Sequence, residues 1–310
     1  MKKTILFALL LSLLTVNAYA QKAKAPERQN WYGTPLYGNV ESVTITEYKS
    51  KESSGEVVKD IISKKEFYKF NQHGDVIEEA EYNGDGSLNK RIEYKYNSKR
   101  DVIEEAKYNG NGSLDGKDLY KYKYDSRGHM IEKANYNGDG SLVYKIVFKY
   151  DSRGYEIGNT YYNHNGLPDH KWLYRYNSQG KKIQVANYRG GVLEEKYIYR
   201  YNSQGNMIEE IWYNGDSSLR GKNLYKYDSK GNMIEVAEYD FIYSPLCQKT
   251  KYKYDSKGHM IERVDYKEDG SLDGKFLLKY DSRGNMIERS IYWSYRREEI
   301  TIEVQEIVYR

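Results

Sequence analysis

Tyr252-Lys253-Tyr254-Asp255-Ser256-Lys257-Gly258-His259-Met260-Ile261-Glu262 decides how this chain is read. Close copies end at Glu132, Glu209, Glu235 and Glu288. The aromatic before each such turn stands at Phe70, Tyr96, Tyr124, Tyr150, Tyr176, Tyr201, Tyr227, Tyr254 and Tyr280, so successive copies lie 26, 28, 26, 26, 25, 26, 27 and 26 residues apart. A fixed period of that size marks a repeat architecture. Within the motif Asp255 opens a turn and Gly258 closes it. Asp hydrogen-bonds the backbone just ahead of it, and Gly takes positive φ without steric cost. That is the chemistry of a type I turn closed by a glycine bulge between antiparallel strands. Gly128, Gly154, Gly205, Gly231, Gly258 and Gly284 are the expected structural turn glycines. Arg100 takes this place once, and replacing it by Gly is expected to be neutral or mildly stabilising.

A second turn lies between these copies, as in Tyr82-Asn83-Gly84-Asp85-Gly86-Ser87-Leu88 and Tyr108-Asn109-Gly110-Asn111-Gly112-Ser113-Leu114. Looser versions span Tyr162–Leu167, Tyr188–Leu193, Tyr213–Leu219 and Tyr266–Leu272. Asn-Gly and Asp-Gly between extended segments are strong hairpin signals. Each period therefore reads strand, turn, strand, turn. The predicted fold is all-β: an array of repeated β-hairpins forming one long, twisted or curled antiparallel meander sheet of about twenty strands. Residues 1–20 read as a signal peptide, 21–39 as a linker and 40–310 as the repeat domain, with about nine repeats of about 26 residues.

Alternation assigns the faces. After the glycine turn Met130, Glu132, Ala134 and Tyr136 are expected on one face, with Tyr144, Ile146, Phe148 and Tyr150 of the returning strand. Tyr124 should pair with Met130, and Tyr150 with Glu156. Lys145 and Lys149 fall on the other face. Residues 296–310 are expected to cap an exposed sheet edge with charge.

The repeated Tyr-Asp-x-x-Gly, as in Tyr124-Asp125-Gly128, Tyr150-Asp151-Gly154, Tyr227-Asp228-Gly231, Tyr254-Asp255-Gly258 and Tyr280-Asp281-Gly284, resembles the YD repeat of bacterial Rhs-type proteins. Asn replaces Asp after Tyr96, Tyr176 and Tyr201. The resemblance covers residues 40–310. It implies a small exported surface or envelope repeat protein, and carbohydrate binding is often proposed for such repeats.

Met1-Lys2-Lys3, the apolar run from Thr4 to Val16 and Ala18-Tyr19-Ala20 have the layout of a secretory signal, too short for a membrane span. The expected location is periplasmic, cell-surface or extracellular. Lys and Arg number 49 against 45 Asp and Glu; without Lys2 and Lys3 the balance is 47 to 45. That balance favours neither nucleic acid nor an acidic partner. Cys247 is the only cysteine, so no internal disulfide framework exists. Hydrophobic residues make up 39%, of which 36 are Tyr in number, and the mean hydropathy is −0.91. A sheet with thin, tyrosine-built packing fits that composition better than a filled core.

No motif carries catalysis. The Asn-Gly-Asp-Gly-Ser loop resembles part of an EF-hand loop, but Ile92 stands where the bidentate Glu is needed and the flanks are strands. The histidines at 73, 129, 164, 170 and 259 are scattered. His129 and His259 follow turn glycines where Asn206, Asn232 and Asn285 stand elsewhere, which reads as an exposed turn position. Glu78, Glu104, Glu132, Glu209, Glu235, Glu262 and Glu288 recur in too many repeats to be one catalytic pair. The expectation is a non-enzyme without cofactor, metal or nucleic-acid partner. It acts as a structural or protein-interaction scaffold on an unknown protein or glycan, or alternatively as a carbohydrate-binding module using an exposed tyrosine face. One turn tip departs from the pattern: Tyr239-Asp240-Phe241-Ile242-Tyr243-Ser244-Pro245-Leu246-Cys247. Phe241 and Tyr243 there are the predicted binding residues, because tips normally carry small polar groups.

Overall fold

The computed structural model describes residues 28–29, 35–53, 56–241, 244–294 and 300–310. The signal-peptide region, most of the linker and Tyr243 lie outside them. Two short strands come first, β1 (Arg28–Gln29) and β2 (Pro35–Leu36), paired with each other. The repeats follow as β3 (Val40–Ser53), β4 (Glu56–Phe70), β5 (Val76–Asn83), β6 (Leu88–Tyr96), β7 (Val102–Asn109), β8 (Leu114–Tyr124) and β9 (Met130–Asn137). Then come β10 (Leu142–Tyr150), β11 (Glu156–Tyr162), β12 (Pro168–Tyr176), β13 (Lys182–Arg189), β14 (Val192–Tyr201), β15 (Met207–Asn214) and β16 (Leu219–Tyr227). The last are β17 (Met233–Asp240), β18 (Ser244–Tyr254), β19 (Met260–Lys267), β20 (Leu272–Tyr280), β21 (Met286–Trp293) and β22 (Ile300–Tyr309).

The all-β, antiparallel, neighbour-to-neighbour pairing is as the turns predict. The open sheet is not. Strands β3 to β22 form a closed barrel, in which β22 pairs antiparallel with β3 from Ile300↔Ser50 to Tyr309↔Val40. The final residues therefore close a ring instead of capping an edge. Closure satisfies the backbone donors and acceptors that two free edges would expose. A right-handed twist accumulated over so many strands supplies the curl.

The turns explain the register. Asp125 N–H donates to His129 O at 2.9 Å and Gly128 N–H to Asp125 O at 3.1 Å, while the Asp125 carboxylate accepts from the N–H groups of Arg127 and His129. Gly128, Gly154, Gly205, Gly231, Gly258 and Gly284 take φ of 87°, 88°, 83°, 86°, 89° and 89°. Arg100 sits at 69° and offsets that cost with its guanidinium, whose Nε lies 3.0 Å from Asp75 Oδ1 and Nη2 2.9 Å from His73 O. In the second turn Gly84 serves another purpose, because a Cβ there would lie 2.2 Å from the Ile62 carbonyl.

Each glycine turn inserts one extra residue into the strand after it. Tyr124 pairs with Met130 and Tyr150 with Glu156, as expected, but Lys123 then pairs with Glu132 and Lys121 with Ala134. The bulge moves Glu132 and Ala134 to the lysine face. Simple alternation places them with the tyrosines, and the observed register does not.

Barrels with this many strands enclose space, not core. The larger cluster of buried residues is Leu36, Val40, Val43, Ile45, Tyr68 and Phe70, beside the closing strand; a second joins Phe276, Leu278, Met286 and Ile291. Leu36 belongs to the segment read as linker, so that segment ends in a packed anchor. Asn285 clasps it: the Tyr37 N–H donates to Asn285 Oδ1 at 2.6 Å, and Asn285 Nδ2 donates to Tyr37 O at 3.0 Å and Tyr309 Oη at 2.8 Å. Asn285 is fully buried. The position after the turn glycine is therefore not a free surface site. At His129 and His259 the imidazole stacks on Tyr150 and Tyr280 of the following repeat, each at 4.8 Å between ring centroids.

Candidate functional site

A ladder of phenol groups runs round the ring. Tyr122 Oη donates to Val102 O at 2.7 Å, Tyr150 to Met130 O at 2.7 Å, Tyr176 to Glu156 O at 2.7 Å and Tyr201 to Lys182 O at 2.6 Å. Tyr227, Tyr254 and Tyr280 reach Met207 O, Met233 O and Met260 O at 2.7, 2.8 and 2.8 Å, and Tyr96 reaches Val76 O. Each acceptor is the first residue of a strand that follows a bulged turn in the preceding repeat. A bulge interrupts the ladder, and the phenol supplies the missing donor. Burial, aided by nearby carboxylates, pushes the Tyr96, Tyr122 and Tyr176 phenols up to about 12.

Other tyrosines on the same face meet carboxylates. Tyr225 Oη lies 3.1 Å and Asn223 Nδ2 3.2 Å from Glu210 Oε2, and Tyr120 Oη lies 3.2 Å from Glu105 Oε2. Burial raises the Glu210 carboxyl above its ordinary value despite those hydrogen bonds. Tyr68 and Tyr197 likewise reach Glu66 and Glu195 at 2.9 and 2.8 Å, so the carboxylates that meet phenols are not those of the ladder through Glu132. On the opposite face that second ladder pairs with lysine: Lys123–Glu132 2.8 Å, Lys226–Glu235 2.8 Å, Lys253–Glu262 2.6 Å and Lys279–Glu288 2.7 Å. The tyrosines of the Asn-Gly turns share this lysine face. Arg91 lies over Tyr108 at 4.5 Å, Lys145 over Tyr162 at 4.8 Å, Lys196 over Tyr213 at 4.8 Å and Lys222 over Tyr239 at 5.2 Å. Unbroken alternation keeps lysine and tyrosine on opposite faces; the bulge brings these together. Both faces carry charge midway along the strands. Among the described residues no helix is long and apolar enough to cross a membrane.

One cavity interrupts the pattern. It holds about 450 Å³ and is lined by Thr160, Pro168, Asp169, Lys171, Leu173 and Tyr188, with Gly190 and Gly191 at one end. The four-residue turn between strands used in most repeats is here cut to two glycines, with φ of 55° and 86°, between the paired Arg189 and Val192. At its rim His170 Nε2 lies 3.6 Å from Asp169 Oδ2, and Arg189 Nε lies 3.4 Å from Asp169 Oδ1. Arg189 Nη1 stands 3.8 Å from Glu194 Oε1. The sequence signalled this place only as two loose turns, Tyr162–Leu167 and Tyr188–Leu193, and the tertiary gap was not visible in it.

Phe241 is exposed, and its N–H donates to Arg220 O at 2.8 Å. Its predicted companion Tyr243 lies outside the described residues. Burial pushes the Cys247 thiol up, so it is a poor thiolate nucleophile at neutral pH.

No family model and no curated protein matches the chain. Among solved structures, the TcdB2-TccC3-Cdc42 complex is similar over 83% of this chain and 19% of that one, at 11% identity and a TM-score of 0.36. The chain thus spans about a fifth of that relative's length. A porin-like protein from Bacteroides uniformis ATCC 8492 is similar over 87% of this chain and 96% of its own, at 10% identity and a TM-score of 0.36. A porin-like protein from Bacteroides vulgatus ATCC 8482 reaches 12% identity and a TM-score of 0.20. Likenesses this weak carry no argument about what the chain does.

Proposed function

We propose that this chain is an exported, non-enzymatic ring scaffold built of YD-like hairpins, which presents its turn tips to a protein partner in the cell envelope or outside the cell. The observation that supports this reading is the commitment of the tyrosines. Among the described residues Tyr37 is the only exposed tyrosine. The ladder phenols hold one repeat to the next, so they stabilise the ring and their face offers no open stacking platform for a sugar. That counts against a carbohydrate-binding tyrosine face. Export rests on the charged and apolar pattern of the first twenty residues alone. Lys95, Lys123, Lys226, Lys253 and Lys279 are tied to glutamates and Lys145, Lys196 and Lys222 to rings, which lowers the free charge available to follow a nucleic-acid backbone.

The partner-facing group is Phe241, whose apolar ring stands at a tip where neighbouring repeats carry Gly, Asp and Ser. Replacing residues 241–244 by Gly-Asp-Gly-Ser tests it. The expected result is an unchanged melting midpoint with loss of a protein recovered by crosslinking from an envelope extract. A glycan array in which the mature chain binds strongly through the tyrosine face would overturn the scaffold reading, as would a fall in stability without loss of the crosslinked partner.

A further inference from the structure

We propose that the cavity between β11, β12 and β13 is a binding site for a small ring compound carrying one carboxylate. The argument starts from a broken regularity. In four repeats the cation directly opposite the Asn-Gly-turn tyrosine lies on its ring, at 4.5 to 5.2 Å. Lys171 is directly opposite Tyr188 in the same register. Yet among the described residues Lys171 makes no ion pair, hydrogen bond or contact with a ring, and the Tyr188 ring carries no cation. Tyr82 and Tyr292 are also uncovered. Tyr188 differs from the covered rings in that it lines the cavity together with its uncommitted lysine.

The charges around the cavity show which ligand would satisfy it. Asp169 and Glu194 both lie beside the Arg189 guanidinium, and His170 stands within 3.6 Å of Asp169 and 3.8 Å of Glu194. Arg189 faces both acids at the rim, and Glu194 Oε2 also accepts from Asn187 Nδ2 at 3.3 Å. On the wall the charge without a partner is the Lys171 ammonium, which calls for an anion. The Tyr188 ring and the Leu173 side chain, 37% exposed, form the apolar wall and call for a ring. At Gly190 and Gly191 nothing stands within 4 Å of where a Cβ would be, so a ligand can approach the backbone there. Thr160 adds a hydroxyl. The volume of about 450 Å³ lies in the range of small-molecule sites and holds one or two rings. A ring with a carboxylate, lying on Tyr188 with its anion on Lys171 Nζ, meets each of these groups. An acidic monosaccharide and an aromatic acid share that chemistry.

This site is independent of the scaffold role, so its failure would leave that reading standing. The test is calorimetric titration of the full chain with glucuronate, 4-hydroxyphenylacetate and glucose. One of the two acids should bind, and which one does so identifies the ring; glucose, without the charge, should bind at least about tenfold more weakly. Lys171→Met and Tyr188→Leu should each weaken binding of that acid by about tenfold. Lys145→Met, which uncovers Tyr162 instead, should leave the affinity unchanged. Leu173→Trp, at an exposed rim position, should block the site with the melting midpoint preserved, which keeps the test decisive if Tyr188→Leu unfolds. Absence of heat for both acids up to ~10 mM, equal binding of glucose, or an unchanged affinity in Lys171→Met would overturn the proposal.

Discussion

The hydroxyl of Tyr150 donates to the carbonyl oxygen of Met130, 2.7 Å away and twenty residues back in the chain. The same bond recurs round the ring, and it explains why this position is written Tyr in every copy after the first, where Phe70 is packed in the buried cluster instead. The exception supports the rule. Tyr124 ends the longest repeat, 28 residues after Tyr96, and is too far along to reach; Tyr122 makes the bond to Val102 instead. Tyr124 turns to Asp101 Oδ2 at 2.5 Å.

Tyr150→Phe and Tyr122→Phe should therefore each destabilise the fold by about 1–2 kcal/mol, since each leaves a carbonyl without its donor. Chemical denaturation measures this. An unchanged unfolding midpoint in both variants would show that water replaces the phenol at no cost.

The same bonds set an alkaline limit. Tyr96, Tyr122, Tyr176, Tyr201, Tyr254 and Tyr280 are pushed up to about 12 in the folded chain, with burial as the main cause. The unfolded phenol titrates near 10. Between these values the unfolded state has lost protons that the folded state keeps, so stability falls as pH rises. The contribution is fully present below about pH 10 and is lost through about pH 12. Spectrophotometric titration should show most phenols ionising together with unfolding. Reversible ionisation of most of them near pH 10 in a folded chain would contradict the ladder.

Gly231 holds φ of 86°, so Gly231→Val should cost about 1–3 kcal/mol through backbone strain. Thermal melting tests it, and an unshifted midpoint would contradict the strain. Arg100→Gly has two opposed effects. It relieves a residue at φ of 69° but removes the guanidinium from Asp75. Burial acts to raise the Asp75 carboxyl, and the Arg100 and Asn71 hydrogen bonds overcome it, so its value is lowered. A lowered carboxyl gives stability above the unfolded value near 4, lost as pH falls through the folded value. Arg100→Gly should therefore be slightly destabilising at pH 7 by about 0.5–1 kcal/mol and neutral or stabilising at acid pH once Asp75 is protonated in the folded chain. A stabilisation at pH 7 equal to that at low pH would show that the ion pair contributes nothing.

Deleting residues 300–310 should open the ring, because it removes the strand that joins β21 to β3. Two unpaired edges then face solvent, and association follows. Light scattering should show growth of oligomers at concentrations where the full chain stays small. A monomeric, equally stable truncation would mean that the ring is not closed in solution.

Much of this was legible in the chain. The strands, their turns and the positive φ at Gly128 or Gly284 are local consequences of Asp-x-x-Gly, and local rules suffice for them. The face of Glu132 was misread because a bulge is one residue long and alternation carries no memory of it. Closure was missed because no residue in Ile300–Tyr309 differs in kind from an edge strand; its partner lies 250 residues away, as in the bond from Ser50 to Ile300. The cavity beside Tyr188 was invisible for a related reason. Lys171 looks like every other lysine in the repeat until its ring partner is seen to be empty.

The pairing of β22 with β3 also orders events in time. All other strand contacts join sequence neighbours and can form as soon as each hairpin exists, on a scale of microseconds. Ring closure joins residues 250 apart, as in Ser50 and Ile300, and must await β22. A chain folding from its N-terminal side therefore carries an almost finished sheet with both borders open until β22 joins it. Survival through that interval depends on how fast the two borders find each other compared with finding those of another copy, so yield on refolding should fall with concentration far more steeply than the stability of the finished ring would suggest.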